Sequence, residues 1–275
     1  MWLGSSALRR QHGRHSAPPE YVAASRGDIA AALRLHRREV RSGLRLALVE
    51  GPKTLLDLHR GDHRIDRLFV DRASMTDAVV SALLVDLPSE VVRLADGAAM
   101  ARLADTRTPQ GVVGIVALPL PRIATDDEVL LILDGVQDPG NTGTIVRSAL
   151  ASGVVGGVVC LGGADPFGPR AIRASAGAVF AVPPQVDPED SLDGILRNRR
   201  LIGASAGKGE LYDRLAWTEP IALAVGSEGH GLSRRTSARV DTYVQIPTVG
   251  AISLNAAIAT SILVFHIARE RSRCT

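Results

Sequence analysis

The chain has 275 residues, of which 45% are hydrophobic, 22% charged and only 3% aromatic, the composition of a globular protein with an aliphatic core. That length allows one large domain or two modest ones, and so few rings argue against a binding surface made of stacked base platforms. The formal charge is +3, but Met1 to Arg60 holds eleven basic against five acidic side chains, about +6 there and about −3 in the remainder. Only Lys53 and Lys208 are lysines. Arginine suits phosphate through its planar fork, and an arginine-rich composition explains the bias equally well, so only the clustering favours nucleic acid. Two cysteines, Cys160 and Cys274, supply neither a disulfide framework nor a metal site, and a reducing cytoplasm is the expected location. No apolar run reaches about 18 residues, and the first residues lack the apolar core of a secretory leader.

Residues 1–22 read as a disordered basic tail. Residues 23–119 read as a small α/β domain in which strands and helices alternate. Asp28 is placed to cap a helix over Ile29–Arg41, whose Arg34, Arg37, Arg38 and Arg41 form a basic face. A strand at Leu46–Glu50, a turn at Gly51-Pro52, a helix through Leu55 and Leu58, a strand at Ile65–Asp71, a helix at Asp77–Leu84 and strands at Glu90–Leu94 and Val112–Ala117 complete it. Residues 120–127 form the linker. Residues 128–275 start with Val129–Val136, apolar enough to be buried on both faces. Helices are expected at Thr142–Ser152, Pro169–Phe180, Leu192–Arg199 and Ser253–Arg271, and strands at Gly157–Leu161, Leu201–Ala206, Ile221–Val225 and Thr242–Ile246. Five strands with intervening helices make a mainly parallel sheet with helices on both faces.

Ligands of such sheets sit outside the carboxyl ends of the strands, and three polar clusters follow strands there: Gln137–Gly143, Gly226–Gly231 and Pro247–Asn255. None carries the glycine spacing of a dinucleotide site or a P-loop lysine. Asn141 opens a helix and Arg147 lies further along it. Arg147 either leans back toward a phosphate at the helix start, since helical side chains tilt to the N-terminus, or stands in solvent while Asn141 merely caps. Glu228, among three glycines, is either a structural acceptor of loop N–H groups or part of a site, and His230 beside it is either exposed or a base. Ser253 either caps the last helix or belongs with Asn255 to the site.

Taken together, Asn141 with Arg147, then Gly226-Ser227-Glu228-Gly229-His230-Gly231, then Ile246-Pro247 with Ser253-Leu254-Asn255, resemble the three ordered motifs of the SpoU (TrmH-like) family of RNA ribose methyltransferases. The first domain is more loosely similar to that family's RNA-binding domain, through Glu50-Gly51 and Thr108-Pro109-Gln110-Gly111-Val112. The resemblance implies a C-terminal trefoil knot, a homodimer with its site at the interface, and transfer of a methyl group from S-adenosylmethionine to a ribose 2′-hydroxyl without a metal. It implies catalytic roles for Arg147, Asn141, Glu228 and Asn255, and cofactor contacts from Ala204, Gly226, Ile246, Ser253 and Leu254, with glycine at 226 admitting close approach. Ribosomal and transfer RNA both remain open as substrates, as does a role in antibiotic self-protection. A non-catalytic RNA-binding protein of the same fold is the alternative.

Overall fold

The structure, a computed structural model, describes residues 20–217, 220–250 and 253–273; the basic tail, apart from its last three residues, lies outside them. The first unit comprises β1 (Val22–Ala23), α1 (Arg26–Arg34), α2 (Arg38–Leu44), β2 (Leu46–Glu50), α3 (Pro52–Arg60), β3 (Ile65–Val70), α4 (Ala78–Asp86), β4 (Val92–Leu94), α5 (Gly97–Leu103) and β5 (Val112–Ala117). Its sheet runs β1-β4-β3-β5-β2, parallel from β1 to β3 and antiparallel on either side of β5. Val22, assigned to the tail by sequence, thus begins the sheet.

The single helix expected over Ile29–Arg41 is two. Asp28 is not its cap: Ser25 caps α1, accepting the Asp28 N–H at 3.0 Å, while the Asp28 carboxylate accepts the Ser25 N–H at 2.9 Å, a reciprocal capping box. Two segments fit the pattern as well as one because the chain turns at His36-Arg37, and the separation turns Arg38 and Arg41 toward acidic residues of the second unit, burying Arg41. Arg41 is 4% exposed; its Nη1 donates to Leu35 O at 2.7 Å and its Nε to Asp165 Oδ2 at 3.1 Å. Arg38 donates to Asp187 at 2.8 Å, and from the other side Arg173 reaches Asp105 at 3.4 Å. Half of the expected basic face is therefore spent tying this unit to the next. An apolar cluster accompanies the ion pairs, running from Leu55 and Leu58 of α3 to Val179 and Phe180.

The second unit comprises β6 (Val129–Asp134), α6 (Pro139–Ser152), β7 (Val155–Leu161), α7 (Pro169–Ala174), α8 (Ala178–Ala181), β8 (Gln185–Val186), α9 (Leu192–Leu196), β9 (Arg200–Ala204), β10 (Glu210–Leu211), β11 (Ile221–Gly226), α10 (Arg234–Ser237), β12 (Thr242–Gln245) and α11 (Ala256–Arg273). Its sheet is parallel throughout, in the order β10-β12-β9-β11-β6-β7-β8. The two strands beyond the five expected, β8 and β10, are two-residue edges too short to leave a periodic signal. β6 is buried at every residue, as a central parallel strand must be. The last strand lies inside the sheet between β9 and β10, an arrangement compatible with the implied knot. The helix expected over Pro169–Phe180 breaks where Ala176 and Gly177 take φ of 49° and 82°. α6 is framed by Asp138 as cap, Pro139 in its first turn and Gly153 at φ 72° after its end.

Candidate active site

The loops after β6, β11 and β12 converge at the carboxyl edge of the parallel sheet. Asp134, 6% exposed at the end of β6, accepts the Ser233 N–H at 2.6 Å and so fastens the first loop to the segment after the second. Asp138 then caps α6, its Oδ1 accepting the Asn141 N–H at 2.8 Å. The cap is therefore Asp138, and the Asn141 side chain is left to reach out of the helix.

Where it reaches follows from hydrogen-bond polarity. Asn255 Oδ1 accepts the N–H groups of Ala257 at 2.8 Å and Ile258 at 3.3 Å, which caps α11 and makes Asn255, not Ser253, the residue at its start. That commitment leaves Asn255 Nδ2 to donate, and it donates to Asn141 Oδ1 at 3.0 Å. Asn141 must donate through its own amide nitrogen, which it does to Glu228 Oε1. One directed chain runs from a helix cap to a carboxylate, and each amide orientation is set by the one before it. Three residues 87 and 114 positions apart are joined by it.

The Glu228 loop closes on itself through paired backbone bonds between Ser227 and Gly231, of 3.1 and 2.9 Å. A Cβ on Gly226 would lie 2.1 Å from the Gly231 carbonyl carbon. Glycine is required there so that the loop can fold back on itself.

Beneath the amide chain lies a cavity of about 510 Å³, within the ordinary range for a small-molecule site. All five positions assigned to cofactor contact line it: Ala204, Gly226, Ile246, Ser253 and Leu254, with Glu228 and Asn255 at its margin. Lys208 and Tyr243, which sequence reasoning missed, also line it, the Lys208 Nζ standing 3.7 Å from the Tyr243 ring centroid. The available signal was one of only two lysines lying between Gly207 and Gly209 after a strand.

Arg147 is not with the others. Six residues beyond Asn141, it points about 120° around the helix axis from it, and it is exposed with no ion pair or hydrogen bond to the described residues. It is not among the residues that line the cavity. Leu150 is exposed further along the same helix. α11 packs beside α6 through Ser148 Oγ to Ser261 Oγ at 2.7 Å and exposes an apolar stripe, Ile258 at 54% and Phe265 at 49%, with Ile262 partly covered between them.

The SpoU rRNA Methylase family model matches residues 128–265, half of the chain and all three loops. The chain belongs to that family. This SpoU member is 32% identical over 234 residues to the 23S rRNA (guanosine(2553)-2'-O)-methyltransferase RlmP of Bacillus subtilis, covering 79% of this chain and 90% of that protein. Its fold is similar to that of an AdoMet-bound rRNA methyltransferase from Sinorhizobium meliloti, with TM-score 0.77, 26% identity, and coverage of 91% of this chain and 97% of the other. It is also similar to the SpoU methyltransferase AviRb from Streptomyces viridochromogenes, with TM-score 0.78, 25% identity and coverage of 90% and 98%. Among the described residues no helix is long and apolar enough to cross a membrane.

Proposed function

We propose that this SpoU member transfers the methyl group of S-adenosylmethionine to a ribose 2′-hydroxyl of ribosomal RNA, and that it does so as a homodimer. The observation that carries the reading is the directed chain Asn255–Asn141–Glu228 at the margin of a cavity lined by the five expected contact positions. The cavity suits the cofactor: one margin is polar and the interior, with Val225, Val244 and Leu263, is apolar enough for a nucleoside. Bound there, S-adenosylmethionine supplies an already electrophilic methyl on a sulfonium centre. The protein's own task is then to position the ribose and ease loss of its proton. Ala204, Gly226, Ile246, Ser253 and Leu254 hold the cofactor. Asn141, Glu228 and Asn255 orient the ribose. Arg147 takes the adjoining phosphate and stabilises the developing alkoxide electrostatically.

The position of Arg147 supports the dimer. Its guanidinium is exposed, has no partner among the described residues and does not line the cavity of its own chain, while an exposed apolar stripe lies on the neighbouring helix. A two-fold contact through α6 and α11 covers that stripe and carries each Arg147 to the other copy's cavity. RNA capture falls to the first domain, through Arg34 and Arg37 rather than the buried Arg41. The target is ribosomal RNA by similarity to the Bacillus subtilis relative.

Arg147→Ala and Glu228→Ala chains, each inactive alone, are to be coexpressed. Sites shared between copies restore about a quarter of wild-type single-turnover rate, since half of the dimers are mixed and one of their two sites is intact. No recovery, with S-adenosylmethionine affinity preserved in each variant, places Arg147 in its own chain's site and overturns the shared arrangement.

A further inference from the structure

The N-terminal cap of α6 has a second partner that the proposed chemistry does not use. Asp138 divides its oxygens: Oδ1 accepts the Asn141 N–H at 2.8 Å, and Oδ2 lies 3.1 Å from Arg170 Nη2. Arg170 belongs to α7, the short helix packed between α6 and the first domain. Its placement is fixed by backbone, because a Cβ on Gly143 would sit 2.3 Å from Ala171 O, so α7 approaches α6 as closely as glycine allows. The guanidinium consequently stands one residue from Asn141, the middle member of the amide chain, and a Cβ on Gly140 would lie 3.8 Å from Arg170 Nη2.

The Arg170–Asp138 pair is exposed, 60% and 40% by side chain, and such pairs are worth too little to explain a stabilising role. A guanidinium presents five donors in a rigid fork, and the contact to Asp138 is the one that Arg170 makes among the described residues. With the side chain 60% exposed, its remaining donors are open to solvent beside the cap of α6.

We propose that Arg170 binds one phosphate of the RNA substrate through its free donors while it holds Asp138, so that the phosphate is registered against the cap from which Asn141 projects. This rests on the reading of the protein as an RNA methyltransferase. It makes Arg170 an RNA-contact and positioning residue in the same chain as the cofactor cavity.

The test compares wild type, Arg170→Ala and Arg170→Lys on deproteinised large-subunit ribosomal RNA. RNA binding is followed against salt, single-turnover rate against RNA concentration, and S-adenosylmethionine affinity and thermal unfolding are measured separately. Arg170→Ala should raise the half-saturating RNA concentration about tenfold and reduce the salt slope by about 0.7 to 0.9, one phosphate's share. Arg170→Lys should restore the slope but only part of the rate, because lysine keeps the charge and loses the fork. Cofactor affinity and melting temperature should not change. An unchanged salt slope overturns the proposal, as does an alanine variant whose losses follow a lowered melting temperature. If wild type binds this RNA with normal salt dependence and methylates nothing, the general reading fails while the phosphate contact stands.

Discussion

Replacing Arg41 with methionine is the perturbation whose cost the structure defines best. The Arg41 side chain is 5% exposed and that of Asp165 14%. The guanidinium contacts Asp165 twice and also closes on Leu35 O. Methionine fills the volume but leaves a nearly buried carboxylate without its counter-charge and a buried carbonyl without its donor. Among the described residues the Asp165 carboxylate then keeps the Phe167 N–H at 2.9 Å alone. Breaking one side of a buried pair costs about 3–5 kcal/mol. For a chain of this size that lowers the melting temperature by about 10 °C. The assay is calorimetric unfolding of Arg41→Met, Asp165→Asn and the double variant. The single variants should each be destabilised and the double variant should recover at least about 1 kcal/mol relative to their sum. The loss should persist in high salt, because a buried pair is poorly screened. A cost below about 1 kcal/mol for Arg41→Met, or full additivity, would refute the assignment of Arg41 as an interdomain tie and return it to the basic surface.

Three further outcomes follow from the geometry. Asn255→Ser keeps an oxygen to cap α11, so stability should hold within about 0.5 kcal/mol, while Asn255→Ala loses about 1 kcal/mol; both lose the donor to Asn141 and should transfer methyl much more slowly, and an active serine variant would remove the amide chain from the mechanism. Burial lowers the pKa of His63 from its ordinary 6.5 against the opposing pull of Asp62, and its neutral ring packs edge-on to Phe180 at 5.6 Å. The unfolded chain therefore binds the proton first, so this contribution is complete above about pH 6.5 and is lost as pH falls below it; His63→Gln should flatten the fall in melting temperature as pH drops below about 6.5, and parallel curves would exclude His63 as the cause. Phe265→Asp places a charge in the exposed stripe of α11 and should yield monomers, by sedimentation at micromolar concentration, that have lost activity; an active monomer would refute the dimeric site.

The catalytic half was legible where a short chemical pattern and a buried strand coincide. β6 announces itself by six apolar or strand-ending residues buried on both faces, and the loop after it carries Asn141 at a helix start. The cavity-lining positions at Ala204, Gly226, Ile246, Ser253 and Leu254 came from motif resemblance, and periodicity alone does not find them. What the sequence concealed was pairing at long range. Arg41 and Asp165 are 124 residues apart, and nothing local distinguishes a buried arginine from the exposed Arg34 and Arg37 on the preceding turns. The same limit hid Asp138: a cap is readable from its own helix, but its second partner Arg170 lies on another. Arg147 shows the reverse case, since the motif names the residue while the helix geometry sends it outward, away from the cavity of its own chain.

Transfer of labelled methyl groups tests the central claim most directly. The protein is incubated with S-adenosylmethionine carrying a tritiated methyl and with deproteinised large-subunit ribosomal RNA, which is then hydrolysed in alkali. A 2′-O-methyl group removes the hydroxyl that attacks the neighbouring phosphodiester, so the label should emerge in an alkali-resistant dinucleotide of single sequence, and Arg147→Ala and Asn141→Ala should both abolish it. Label released in ordinary mononucleotides would mean that a base is methylated, and that result would contradict the account.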